Sequence, residues 1–278
     1  MLIEEQARAK INLALHVLGR RADGYHELDS IVAFADVGDR ITLEPSTKLE
    51  VTISGLFAGD LVKDESNSLI RAWHGLAKIS ALQPVKFTLE KNLPVASGIG
   101  GGSADAAAAL RGLIKMFGLT VNPAALHEIA QHLGADVPVC LASSPMHMQG
   151  TGERLKPYES PANQSIVLVH PGVACLTVNV FQALGLAKGQ DFGAPIQDFT
   201  DPATWRNDLA AAAITICPAI NEAVAALASQ NNLVCARMSG SGATCFGLFQ
   251  DYADASAAAT KLKSQHPGWW VKPARLVS

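Results

Sequence analysis

Residues 98–103 read Gly-Ile-Gly-Gly-Gly-Ser, and no other segment restricts the fold as strongly. Val85–Leu89, just ahead of it, has the make-up of a strand. Behind it, Ala106, Leu110, Leu113, Ile114 and Phe117 trace one face of a helix that Gly118 closes. A strand, a glycine-rich turn and a helix start in that order gather main-chain N–H groups and the positive end of a helix dipole at one place. Four glycines permit positive φ and let the backbone wrap an anion. A di- or triphosphate is the natural guest. A flexible loop with no ligand is the competing reading, and it suits a pair of glycines better than four that open a well-formed helix.

The turn departs from the commonest nucleotide signatures. It lacks the Lys of G-x-x-x-x-G-K-[ST], so it is no Walker A loop. Ser103 stands where G-x-G-x-x-G needs its last glycine, which disfavours a dinucleotide fingerprint. Asp105 replaces the final glycine of a G-x-S-x-G elbow around Ser103.

Composition narrows the class further. In 278 residues, 49% are hydrophobic and 17% charged, which is ample for a buried core. A formal net charge of −3, no long Lys or Arg run and few aromatic residues argue against a nucleic-acid or anionic-membrane partner. The five cysteines (Cys140, Cys175, Cys217, Cys235, Cys245) are odd in number and show no C-x-x-C pair. They read as buried reduced thiols rather than a disulfide framework. The histidines show no zinc spacing. The N-terminus carries acidic residues and Lys10 where a signal peptide would be apolar. No window reaches the length of a membrane helix. The expectation is a cytoplasmic protein, a monomer or weak homodimer.

Along the chain, residues 9–18 alternate as a strand, with Ile11, Leu13, Leu15 and Val17 on one side and Lys10, Asn12, Ala14 and His16 on the other. Asp23-Gly24 is a turn signal, and Val37-Gly38-Asp39 reads as another between the apolar runs 31–34 and 41–43. A helix is predicted over 68–79. Another is opened by Asn122 as N-cap with Pro123 behind it and closed by Gly134. Residues 143–162 turn polar and rich in Gly, Pro and Ser, a candidate domain junction. Beyond it the order is strand 166–170, helices near 202–214 and 219–229, strand 234–238, a glycine turn at Ser239–Gly242, strand 243–249, helix 254–264 and strand 270–276. That succession predicts an α+β fold with helices on one face of a mainly antiparallel sheet.

A phosphate-binding turn directs attention to phosphoryl transfer, which needs in-line placement of an acceptor oxygen and stabilisation of charge. A carboxylate that takes the acceptor proton and a neighbouring cation would suffice. Lys10 and Asp136 are candidates. Taken singly, Asp136 reads as a helix N-cap and Lys10 as a solvated strand lysine.

Ala9-Lys10-Ile11-Asn12-Leu13, Pro94 through Ala107, and Arg237-Met238-Ser239-Gly240-Ser241-Gly242-Ala243 resemble the three signature motifs of the galactokinase, homoserine kinase, mevalonate kinase and phosphomevalonate kinase superfamily. The order and spacing match across essentially the whole chain. Arg20-Arg21-Ala22-Asp23-Gly24-Tyr25-His26-Glu27-Leu28 and Leu133-Gly134-Ala135-Asp136-Val137-Pro138 resemble one branch of it, kinases of a cytidine-diphosphate-linked sugar alcohol in the non-mevalonate route to isoprenoid precursors.

The resemblance implies a two-domain small-molecule kinase fold. Residues 1–155 would form an ATP-binding and catalytic domain with a left-handed βαβ unit. Residues 156–278 would form a ferredoxin-like α/β sandwich, with the active site in the cleft between the two. It implies Lys10 and Asp136 as the catalytic pair, with Asn12, Tyr25, His26, Thr177 and Phe181 binding the acceptor. Tyr25 and Phe181 would flank the cytosine and His26 would read it. Judged alone, Tyr25 is a turn residue and Phe181 a core residue. ATP would be held by Asn67 and Lys91 near the adenine and by Pro94, Gly98, Gly100, Gly101, Gly102 and Ser103 at the phosphates. Gly240 and Gly242 would line the site from the second domain. Ile99 stands in place of a usual Leu and Ala104 in place of a frequent second Ser. With no acidic cage in the sequence, Mg2+ would arrive with ATP, held by phosphates and water. Two other readings stay open: a homoserine- or mevalonate-type kinase, which leaves Tyr25-His26 unexplained, and a non-catalytic ATP-binding regulator.

Overall fold

A computed structural model describes residues 1–159 and 164–277. The chain forms two compact units, and a single cut at residue 155 does not separate them. The first unit holds residues 1–9, 38–95 and 100–143; the second holds 10–37, 96–99 and 144–278. The reason lies in two long paired strands, β1 (Ile3–Arg20) and β2 (His26–Pro45), each of which contributes residues to both units. Gly38 lies inside β2 and makes no turn. A Cβ there would collide with the Ala7 carbonyl, so glycine permits close backbone approach in mid-strand.

In the first unit, β3 (Glu50–Ser54), α1 (Ser68–Ala77) and β4 (Val85–Glu90) form a β-α-β crossover with β3 and β4 parallel. β4 also pairs antiparallel with the end of β2, Arg40 opposite Glu90 and Pro45 opposite Val85. The apolar face of α1 buries Leu69, Ile70, Ala72 and Leu76 and packs on α2 (Gly101–Phe117). α2 ends at Gly118, whose φ of 58° is the left-handed cap that glycine favours. α3 (Pro123–Leu133) starts as its sequence predicts, with the Asn122 side chain accepting from the Ala124 N–H at 2.8 Å. A short helix, α4 (Val137–Ala142), follows Asp136.

In the second unit, part of the polar segment that reads as a junction is instead a hairpin, β5 (Met146–Gly150) with β6 (Arg154–Pro157), β5 pairing with β2. Positions 160–162 of that segment lie outside the described residues. Four further strands, β7 (Ser165–His170), β8 (Leu233–Met238), β9 (Cys245–Phe249) and β10 (Trp270–Val277), are all antiparallel in the order β10-β7-β9-β8. That is the 4-1-3-2 order of a split β-α-β. Among its described residues the unit also has four α-helices: α5 (Thr177–Ala183), α6 (Ala210–Ile216), α7 (Ala219–Ala228) and α8 (Tyr252–Gln265). Its core includes Val167, Val169, Ile220, Leu227, Phe249 and Leu262. β10 also pairs with β2 at Leu276–Ala35. Cys175, Cys217 and Cys245 are buried free thiols, Cys235 is free and half-buried, and Cys140 is buried. Among the described residues no helix is long and apolar enough to cross a membrane.

Candidate active site

The glycine turn divides between the units, Ala96–Ile99 belonging to the second and Gly100–Ser103 to the first. In the first unit Gly100 adopts φ 65° at the N-cap of α2, and the first intrahelical bond is Ala104 N–H to the Gly100 carbonyl at 2.8 Å. The N–H groups of Gly101, Gly102 and Ser103 therefore have no acceptor within the helix. The two middle glycines face different ways. A Cβ on Gly102 would meet nothing within 4 Å, so that side is open. A Cβ on Gly101 would lie 3.1 Å from Lys91 Nζ and 3.9 Å from Asp39 Oδ2. Ala104, in place of a frequent Ser, turns its methyl into the buried side. Pro94 is buried at the exit from β4.

Lys91 does not offer its ammonium to a nucleotide. Its side chain is 2% exposed and bonds Asp39 Oδ2 at 2.5 Å and Asp105 Oδ2 at 2.6 Å. Its main chain is also engaged, the N–H with Ser54 and the carbonyl with Phe57. Burial opposes the charge on Lys91, but the two carboxylates outweigh it and hold its pKa above the ordinary value. Asp105 is pushed up to about 7 by burial first, with Lys91 pulling the other way and Asp39 adding to the rise. Asn67 is likewise spent on the fold. Its Oδ1 caps α1 at Leu69 N–H (3.0 Å) and its Nδ2 donates to the Val62 carbonyl (2.7 Å).

Asp136 occupies the N-cap position of α4 yet makes no side-chain capping bond to it. Capping therefore does not account for an Asp at this position. Pro138 stands in the helix's first turn, and the Cys140 N–H bonds the Asp136 carbonyl at 3.1 Å.

In the second unit Lys10 is 3% exposed, so it is not a solvated strand lysine. Its N–H donates to the Ile99 carbonyl at 3.0 Å. Two residues on, Asn12 donates its main-chain N–H to Ser239 Oγ (3.1 Å) and its Nδ2 to Ser30 Oγ (2.8 Å), while its buried Oδ1 has no partner. Ser239 Oγ in turn donates to the Gly98 carbonyl at 3.2 Å.

The second glycine turn is packed rather than open. A Cβ on Gly240, at φ 56°, would lie 2.5 Å from the Gly98 carbonyl oxygen, and one on Gly242 would lie 2.8 Å from Met238 Sδ. Asn207 braces the turn through Nδ2 bonds to the carbonyls of Met238 (2.8 Å) and Gly240 (2.9 Å). Close packing against Gly98 and Met238 is by itself a reason for glycine at 240 and 242.

The acceptor-binding candidates also lie in this unit. Thr177 and Phe181 sit one turn apart on α5, and Thr177 Oγ1 lies 2.8 Å from Ser241 Oγ. Phe181 meets the ring of His26, with centroids 4.6 Å apart and a 33° tilt. One side of Phe181 is thus occupied by His26, and a base cannot lie between those two rings. Tyr25 stands on the β1–β2 turn, 65% exposed. His26 Nε2 is buried without a partner, and desolvation, then the Arg20 charge, lowers the ring's pKa, so it is neutral at pH 7.

Sequence reasoning missed Asp39, Asp105, Ser239 and Asn207. A lone carboxylate inside the alanine face of α2 was a readable signal for Asp105; Asn207 carried none. Among the described residues no three His, Cys, Asp or Glu side chains gather in a metal-holding group.

A β-α-β unit with a glycine-opened helix, and in the same chain a ferredoxin-like sheet, are the two parts of one small-molecule kinase class. Residues 67–144 match the family of GHMP kinases N terminal domains, and residues 190–268 match GHMP kinases C terminal. The chain is 48% identical to a 4-diphosphocytidyl-2-C-methyl-D-erythritol kinase of Methylobacterium radiotolerans, over 98% of each protein, and 47% identical to one of Cereibacter sphaeroides, over 99% of each. The crystal structure of a 4-(cytidine 5'-diphospho)-2C-methyl-D-erythritol kinase superposes with a TM-score of 0.83 at 30% identity, covering 99% of this chain and 100% of that one. The chain belongs to the 4-diphosphocytidyl-2-C-methyl-D-erythritol kinase family.

Proposed function

We propose that this chain transfers the γ-phosphoryl group of ATP to the 2-hydroxyl of 4-diphosphocytidyl-2-C-methyl-D-erythritol, a step toward isoprenoid precursors carried out in the cytoplasm. The observation that carries the proposal is near-full-length likeness to relatives that bear this kinase's name. The N–H groups at the start of α2, with the open side at Gly102, suit the phosphates of ATP. Mg2+ accompanies the nucleotide and neutralises charge on its phosphates. Ser103, in the first turn of α2, is the hydroxyl this turn would offer them.

Asp136 accepts the proton of the acceptor hydroxyl, and Lys10 steadies the charge on the transferring group. Asn12 Oδ1, buried and without a partner, is suited to accept a hydrogen bond from the acceptor. A neutral His26 presents one donor and one acceptor nitrogen, a match for the edge of cytosine. Tyr25 supplies the stacking face, and Phe181 supports the His26 ring.

The test is ADP release from ATP with four acceptors in turn: the cytidine-linked erythritol, homoserine, mevalonate and none. Turnover confined to the first supports the proposal. Equal turnover with homoserine or mevalonate, or none with any acceptor, contradicts it.

A further inference from the structure

The cluster Asp39, Lys91 and Asp105 places two carboxylates and one ammonium almost directly beneath the first helical residue of α2. Lys91 Nζ lies 3.1 Å from where a Gly101 Cβ would be. Fully ionised, the cluster carries one net negative charge in the interior, below a turn read as binding a triphosphate. Unlike charges should favour that turn, so a buried negative charge there works against the ligand.

The two carboxylates are not equivalent. Asp39 accepts from three donors: Asn92 N–H at 2.6 Å, Leu93 N–H at 2.8 Å and Lys91 at 2.5 Å. Asp105 accepts from Lys91, while its Oδ1 is buried with no partner. A buried carboxylate oxygen left without a donor makes the charged form of its group costly. The charged groups acting on Asp105 are Lys91 and Asp39, together with the positive end of its own helix, which favours the ionised form.

We infer that Asp105 is the proton-holding member of this cluster, and that nucleotide binding at the start of α2 draws a proton from solvent onto it, leaving the cluster neutral. The inference rests on the phosphate assignment proposed above. Its geometric basis is the unequal donor count and the position under Gly101. The raised pKa of Asp105, about 7, agrees with it. Asp105 would act through the nucleotide's electrostatic surroundings and would not touch the reacting atoms.

The experiment is calorimetric titration of the wild-type protein and Asp105→Asn with Mg2+ and a non-hydrolysable ATP analogue, in two buffers of different ionisation heat. The wild type is expected to take up roughly half a proton at pH 7 and to lose affinity at up to about tenfold per pH unit above it. Asp105→Asn mimics the neutral cluster. It should bind at least as tightly as wild type at pH 8, with that pH dependence gone. Merely structural damage would weaken binding at every pH. Proton uptake equal in the two proteins would overturn the inference while leaving the phosphate site standing. Failure of wild type to bind the analogue would remove both. Should Asp105→Asn not fold, infrared difference spectra of the wild type decide. A protonated carboxyl band that appears on nucleotide addition supports the inference, and its absence refutes it.

Discussion

The two glycine turns use the same residue for opposite ends. At Gly100–Ser103, glycine keeps space empty: a side chain on Gly102 would enter open space beside N–H groups that have no acceptor within the helix. At Ser239–Gly242, glycine allows contact: a side chain on Gly240 would strike the Gly98 carbonyl, and one on Gly242 would strike Met238. Glycine content alone does not tell a ligand cradle from a packed brace. The surroundings of the absent Cβ do.

The largest expected effect lies at neither turn. Asp136→Asn keeps shape but removes the proton acceptor, and kcat should fall about a hundred- to ten-thousand-fold. Binding of ATP and acceptor should be retained, and kcat within a few-fold of wild type would withdraw the catalytic assignment. Gly240→Ala tests the packed turn. A strained left-handed residue together with overpacking should cost about 2–4 kcal/mol of stability in urea denaturation. A loss below about 1 kcal/mol would mean the turn has slack. Tyr25→Ala removes an exposed stacking surface, typically worth about 1–3 kcal/mol per base. The acceptor KM should rise roughly 5- to 150-fold, with ATP affinity unchanged.

The smallest effect concerns pH. The folded pKa of Asp105 is raised, so the folded state holds the proton more tightly than the unfolded chain. Its contribution to stability is full below the unfolded value near 4 and is lost as pH rises through about 7. Wild type should therefore lose more stability than Asp105→Asn between pH 5 and pH 8, by on the order of 1 kcal/mol after allowing for the coupling to Lys91. Parallel stability curves for the two proteins would show that Asp105 is ionised throughout.

Much of the architecture was legible because local chemistry fixed it. Asn122-Pro123 opens α3 and Gly118 closes α2, as their capping preferences require. Val37-Gly38-Asp39 misled because its Gly serves a close approach to Ala7 inside a strand, a tertiary fact with no local sign. The hairpin β5–β6 hid in a polar segment because its alternation is weak and its apolar residues are few. At the site, the glycine turn and the Tyr25-His26 stretch were readable from residue type. The partners of Lys91 were not, since Asp39 lies 52 residues away and Asp105 lies 14 away. A lysine that matches a binding motif can still be a buried structural cation. Lys91 and Asn67 differ from Asn12 and His26 in one respect that sequence does not record: the first two have spent the polar atoms of their side chains on the fold, and the last two each keep one unpaired.

The measurement that bears most directly on the account is nucleotide affinity in Gly102→Val. Valine costs no more than glycine within a helix, and its Cβ meets nothing, so stability should stay within about 1 kcal/mol of wild type. The branched methyls would stand where the phosphates approach, and the ATP Kd should rise at least about tenfold. Wild-type ATP affinity in the folded variant would contradict the assignment of the open turn to the nucleotide.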